Sequence, residues 1–145
     1  MKKKTLIIVL LLIVSIISGH LMSKASLVGK AGMSLFYREY NFLKVWWQGA
    51  LLVFTALIVL FVLLHFIQRK VAYNKMKTIS LLALLAGILG AYFTYYDFRH
   101  TLSHRLLGER FHIGAYLFCV GWLLVAIFYF MQPNDHRSIH VHSVE

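Results

Sequence analysis

The sequence predicts an all-α membrane protein whose chain forms a bundle of four transmembrane helices. Apolar residues make up 60% of the 145 positions and charged residues only 14%, whereas soluble domains average about half and about a quarter. The charged residues fall in short blocks that separate four long stretches without Asp, Glu, Lys or Arg. This layout is typical of a polytopic membrane protein.

The four apolar stretches cover residues 5–22, 45–67, 78–96 and 111–131. Each has roughly the 17–25 residues with which a helix crosses a hydrocarbon core of about 30 Å. Helices are expected because, in lipid, the backbone of each span must satisfy its own hydrogen bonds. Residues 132–145 form a polar tail, so the sequence predicts a single domain over residues 1–145.

The first stretch also fits a cleaved leader peptide, because Lys2, Lys3 and Lys4 precede the apolar run and Ser23-Lys24-Ala25 has a small-x-small pattern. The apolar run is long for a leader, however, and polar His20 separates its core from that pattern. We therefore expect an uncleaved anchor. Cleavage would leave three spans.

Orientation follows from the basic residues between the spans. With the N-terminus inside, eight basic residues fall on the inner side and seven on the outer side, so the total does not decide. The inner blocks Lys2–Lys4 and Gln68–Lys77 lack acidic residues, and the first helix usually dominates orientation. We expect both termini in the cytoplasm, in a plasma (inner) membrane of bacterial type.

The third span carries small residues at intervals of four: Ala83, Gly87 and Ala91, with a second row at Ala86 and Gly90. Small residues at this spacing let helix backbones approach closely in lipid. The pattern predicts that the third helix is the one most buried in protein. Whether its neighbour belongs to the same chain or to another is left open.

The connector between the third and fourth spans concentrates potential metal ligands. If the third helix continues, Asp97, His100 and His104 share one helical face, and the last two have the spacing with which imidazoles bind one metal from consecutive turns. Glu109 and His112 repeat a Glu-x-x-His ligand spacing of metal-binding bundles. With His20 at the same depth, these residues form a candidate site for a transition metal at the outer face.

Two other interpretations of the connector stay open. Arg99, Arg105 and Arg110 can pair with the two carboxylates, which would make a structural turn or a docking surface for a partner or for lipid. A b-type haem would need His20 to pair with His100, His104 or His112. Covalent haem is excluded because no C-x-x-C-H motif is present.

No ionisable Asp, Glu, Lys or Arg lies within a span, which disfavours a self-contained ion pump or transporter. The net charge of +10 is interpreted as contact with anionic headgroups rather than with nucleic acid. The leading hypothesis is a non-catalytic subunit or accessory factor of a larger membrane complex, with residues 97–112 as docking surface. Expected partners are the lipid bilayer and other membrane subunits or a second copy. The alternative is a metal- or haem-dependent redox enzyme at the outer face, so enzymatic activity is left open.

Overall fold

A computed structural model of the chain describes residues 2–24, 45–100 and 109–132. Over these residues it contains four α-helices: α1 (Lys2–Ser23), α2 (Trp46–Lys70), α3 (Tyr73–His100) and α4 (Glu109–Met131). The shortest has 22 residues, or roughly 33 Å along its axis, and all four are long and apolar enough to cross a membrane. The predicted all-α fold of four transmembrane helices is confirmed.

The helices extend beyond the apolar stretches that predict them. α3 begins at Tyr73 rather than residue 78 and continues to His100 rather than residue 96. Only Val71 and Ala72 separate α2 from α3. Val71 has an extended conformation, and its N–H caps α2 by donating to the carbonyl of Ile67 at 3.0 Å. Hydropathy marks the part of a helix inside lipid, whereas backbone hydrogen bonding continues into the polar region beyond it.

The helices are ordered α2–α1–α4–α3 in space, because α1 packs against both α2 and α4, and α3 packs chiefly against α4. The buried positions of α1 recur at three- and four-residue intervals and form one stripe: Leu11, Ser15, Ser18, Gly19 and Met22. The core joins residues of all four helices: Leu11, Met22, Val53, Leu57, Phe61, Leu64, Met76, Phe111, Val125 and Tyr129.

Small residues of α1 and α4 hold these helices at short distance. The Ser18 hydroxyl donates to the carbonyl of Gly114 at 2.7 Å. A Cβ atom at Gly114 would lie 2.9 Å from the carbonyl oxygen of Ser18, and one at Gly19 would lie 2.6 Å from the Cα of Ala50 in α2. α1 is therefore a central element of the bundle rather than a peripheral one.

Within the described part of this chain, the third helix is the least buried of the four, so any greater burial in protein would have to come from another chain. In its most apolar stretch 17% of the residues are buried, against 33% in each of the other helices. Ala83 and Gly87 do pack on α4: Trp122 donates its indole N–H to the Ala83 carbonyl at 2.9 Å, and a Cβ at Gly87 would lie 2.7 Å from Trp122 Cδ1. The small-residue row thus accommodates one large side chain, Ala91 is half-buried, and most of the remaining surface of α3 is uncovered.

Candidate functional site

The connector end of the bundle is formed by the last turn of α1, the start of α2, the last turn of α3 and the start of α4. The bond from Ser18 to Gly114 and the contact between Gly19 and Ala50 place the end of α1 beside the starts of α4 and α2. His20 therefore lies near the depth of the first turns of α4, although its side chain is exposed.

Phe98 and His112 join α3 to α4 at the connector end. Their rings stack with centroids 4.2 Å apart and an interplanar angle of 16°. Phe98 also meets Phe111 and Tyr116 edge-on, at 6.2 and 6.1 Å. His112 thus belongs to an aromatic cluster that fixes the last turn of one helix on the first turn of the next.

His100 and Arg99, at the end of α3, pack along their own helix. The His100 ring lies 4.3 Å from that of Tyr96, four residues earlier. Arg99 donates to the Tyr95 hydroxyl, and its guanidinium lies 5.7 Å from the centre of the Tyr95 ring. His100 and Arg99 are both exposed, so the surface of α3 presents one ring–ring pair and one cation–aromatic pair here.

The metal hypothesis gains no support from the ligands that can be placed. Within residues 2–24, 45–100 and 109–132, no three His, Cys, Asp or Glu side chains are arranged to hold a metal ion. Asp97 is half-buried, whereas His20, His100 and Glu109 are exposed. His104 and Arg105 lie outside the described residues, so the metal or haem site remains a prediction.

Glu109 and Arg110 complete the described part of the connector. Both occupy the first turn of α4 and are exposed. With Arg99 and His100 they form a surface of charged and aromatic groups at the connector end, suited chemically to recognition of another polar surface.

The opposite end of the bundle, here called the basic end, carries a one-sided charge. Its exposed or half-exposed cations come from the start of α1, the end of α2 and the start of α3: Lys3, Lys4, Arg69, Lys70, Lys75 and Lys77. The acidic residues of the described ranges, Asp97 and Glu109, both lie at the connector end.

Several buried polar atoms without a hydrogen-bond partner in the described part of the chain were not predicted from the sequence. Four such atoms lack a hydrogen-bond partner among the described residues: His65 Nδ1, Ser80 Oγ, the Tyr129 hydroxyl and Gln132 Oε1. The Tyr129 ring lies 6.4 Å from that of His65 and 5.3 Å from that of Phe61. No spacing along the sequence could reveal the contact between His65 and Tyr129, because the two side chains come from different helices.

These features define a multi-pass integral membrane protein with apolar helices in contact with lipid. Comparison with protein-family models, with curated proteins and with solved structures found no match to this chain.

Proposed function

We propose that this protein is a non-catalytic subunit or accessory factor of a larger membrane complex, and that it docks through the outward face of α3 and the 97–112 connector. One observation carries the proposal: α3 has the lowest mean hydropathy of the four helices and is also the least covered by protein. A bilayer favours the opposite arrangement, in which the least apolar helix is shielded from lipid.

The uncovered face of α3 has the composition of a helix-packing surface. Ala86 and Gly90 are exposed, and a Cβ atom at Gly90 would have no neighbour within 4 Å. Small residues at this spacing allow the backbone of a partner helix to approach closely. Gly87 already fulfils that role toward α4, so the Ala86–Gly90 row is the part of the pattern that the described residues leave unused.

The connector end supports the same proposal through its residue types. Tyr92, Phe93, Tyr95 and Tyr96 are all exposed at the end of α3, next to Arg99. Tyrosine and arginine are enriched where protein interfaces derive most of their binding energy. The surface formed by these residues would continue the helix contact beyond the apolar part of the membrane.

The proposal includes the orientation and location expected from the sequence. The basic end carries the cations named above, whereas the acidic residues of the described ranges lie at the connector end. Ends rich in lysine and arginine favour the cytoplasmic side. We therefore place both termini in the cytoplasm of a bacterial-type cell, with the connector end outside.

Affinity purification in mild detergent tests the docking surface. We expect the wild-type chain to co-purify with other membrane subunits or with a second copy. Gly90→Trp places a bulky group on the open face of α3 and should reduce recovery of the partner at least about tenfold, the equivalent of 1.4 kcal/mol of contact energy. Leu52→Trp, on the exposed surface of α2, is the matched control and should leave recovery unchanged.

Two results would contradict the proposal. A wild-type protein that purifies only as a lipid-bound monomer would remove the need for a docking surface, as would equal recovery of partner with both variants. Stoichiometric iron, zinc or copper that is lost on His100→Ala, or a haem spectrum, would instead favour the redox enzyme at the connector end.

A further inference from the structure

The surface of α2 near the basic end contains an open groove of about 650 Å³. It is lined by apolar side chains of α2 that face away from the bundle and, at the end of this helix, by Lys70; among the lining residues are Val59, Val62, Leu63, Phe66, Lys70 and Val71. Val59, Val62, Leu63 and Phe66 are exposed by 41–58%. A long apolar groove with a lysine at its end matches the two chemical parts of a phospholipid, the apolar acyl chain and the charged headgroup.

We infer that this groove binds an anionic phospholipid, with one acyl chain along α2 and the headgroup phosphate beside the Lys70 ammonium group. The length agrees: the twelve residues from Val59 to Lys70 span roughly 17 Å along the helix axis, and one leaflet contributes about half of the roughly 30 Å hydrocarbon core. The groove therefore begins near the membrane centre and ends at headgroup level.

The charge around Lys70 favours an anionic headgroup over a zwitterionic one. Lys75 is exposed on the first turn of α3, which follows α2 after only two residues. That first turn contains no acidic residue, and the described acidic residues lie at the connector end. The headgroup would thus meet Lys70 and Lys75, and no carboxylate of the described ranges lies at this end of the bundle to compete for them.

The shape of the groove favours a lipid over another helix. Its walls are branched aliphatic and aromatic side chains, and the lining contains no glycine, alanine or serine. A partner helix usually packs against small residues in a membrane, as on α3. A flexible acyl chain needs only apolar contact, which these side chains supply.

Native mass spectrometry of the detergent-purified chain tests this inference with dioleoyl phosphatidylglycerol and, for comparison, dioleoyl phosphatidylcholine. We expect preferential retention of one phosphatidylglycerol. Lys70→Gln should weaken that retention roughly fivefold, the factor that one cation near a charged headgroup contributes, and leave phosphatidylcholine unaffected. Val62→Trp, which fills the groove, should reduce retention of phosphatidylglycerol without removing a charge.

Lys77→Gln is the matched control, because Lys77 lies at the same end but reaches toward α4, where its Nζ is 5.8 Å from the centre of the Phe130 ring. This variant should retain phosphatidylglycerol like the wild type. Equal retention of the two lipids by the wild type would overturn the inference, as would equal losses in Lys70→Gln and Lys77→Gln. A second copy that is released by Val62→Trp would show that a protein helix, not a lipid, occupies the groove.

Discussion

At the level of single residues, the hydroxyl group of Tyr129 is the clearest departure from a satisfied core. The side chain is 1% exposed, and its hydroxyl has no hydrogen-bond partner among the described residues. Its ring packs against Phe61 and Phe128, with centroids 5.3 and 5.2 Å away. The ring therefore stabilises the bundle, whereas the buried hydroxyl opposes that stabilisation.

Tyr129→Phe should raise the stability of the purified protein. The substitution keeps the ring contacts and removes an unpaired buried polar group, whose burial costs about 1–3 kcal/mol. Thermal unfolding in detergent measures the effect. Tyr73→Phe, at an exposed tyrosine, is the control and should leave the transition unchanged. A loss of stability in Tyr129→Phe would show that the hydroxyl has a partner in the folded protein, such as a bound water.

At the level of helix pairs, the contact between α1 and α2 depends on the absence of a side chain at Gly19. A Cβ atom there would lie 2.6 Å from both the Cα of Ala50 and the carbonyl oxygen of Trp46. These are backbone atoms, so relief requires movement of a whole helix rather than rotation of a side chain. The same helix is fixed on its other side by the bond from Ser18 to Gly114.

Gly19→Ala should therefore destabilise the bundle by about 1–3 kcal/mol or more, the usual effect of overpacking a close contact. Gly90→Ala adds the same methyl group where nothing lies within 4 Å, and should be neutral or slightly stabilising because alanine is the better helix former. Thermal unfolding of both variants in detergent compares them directly. Equal stability would mean that α1 and α2 are further apart than the structure shows.

The helices themselves could be predicted from the sequence, but their neighbours could not. Hydropathy identifies a span because lipid forces each apolar segment to form its own hydrogen bonds. Which helices touch depends on matched shapes on both surfaces. The Ala83–Gly87 row indicates a close contact, yet only the structure shows that Trp122 fills it and that no described residue covers the other side of α3 at Gly90.

At the level of the whole molecule, the candidate site could be predicted only in part. Consecutive helices run in opposite directions, so the end of α3 and the start of α4 lie at the same end of the bundle, as the sequence predicted. The individual side chains follow local packing instead: His112 stacks on Phe98 and His100 on Tyr96. Ligand spacing along the sequence does not include the contacts with neighbouring aromatic rings, so the positions of the His100 and His112 rings could not be predicted from it.

Charge is distributed over the whole molecule in a way that predicts its orientation. Lys3, Lys4, Lys70 and Lys75 lie at the basic end, whereas Asp97 and Glu109 lie with Arg99 and Arg110 at the connector end. The end of a membrane protein with the denser cations is less readily moved across the membrane and stays in the cytoplasm. The total of basic residues is nearly balanced between the two sides, so the expected orientation rests on the density of cations in the blocks Lys2–Lys4 and Gln68–Lys77.

Cysteine labelling in intact cells measures the orientation. Cys119, the single native cysteine, is buried and is replaced by alanine to give a silent background. In that background, Arg110→Cys should react with a membrane-impermeant maleimide added outside, because it lies at the connector end. Lys75→Cys, equally exposed, should react only after permeabilisation. The reverse pattern would place the basic end outside and put the proposed docking surface in the cytoplasm. Labelling of both positions from one side would contradict the transmembrane arrangement, because α3 joins the two ends across the full thickness of the bundle.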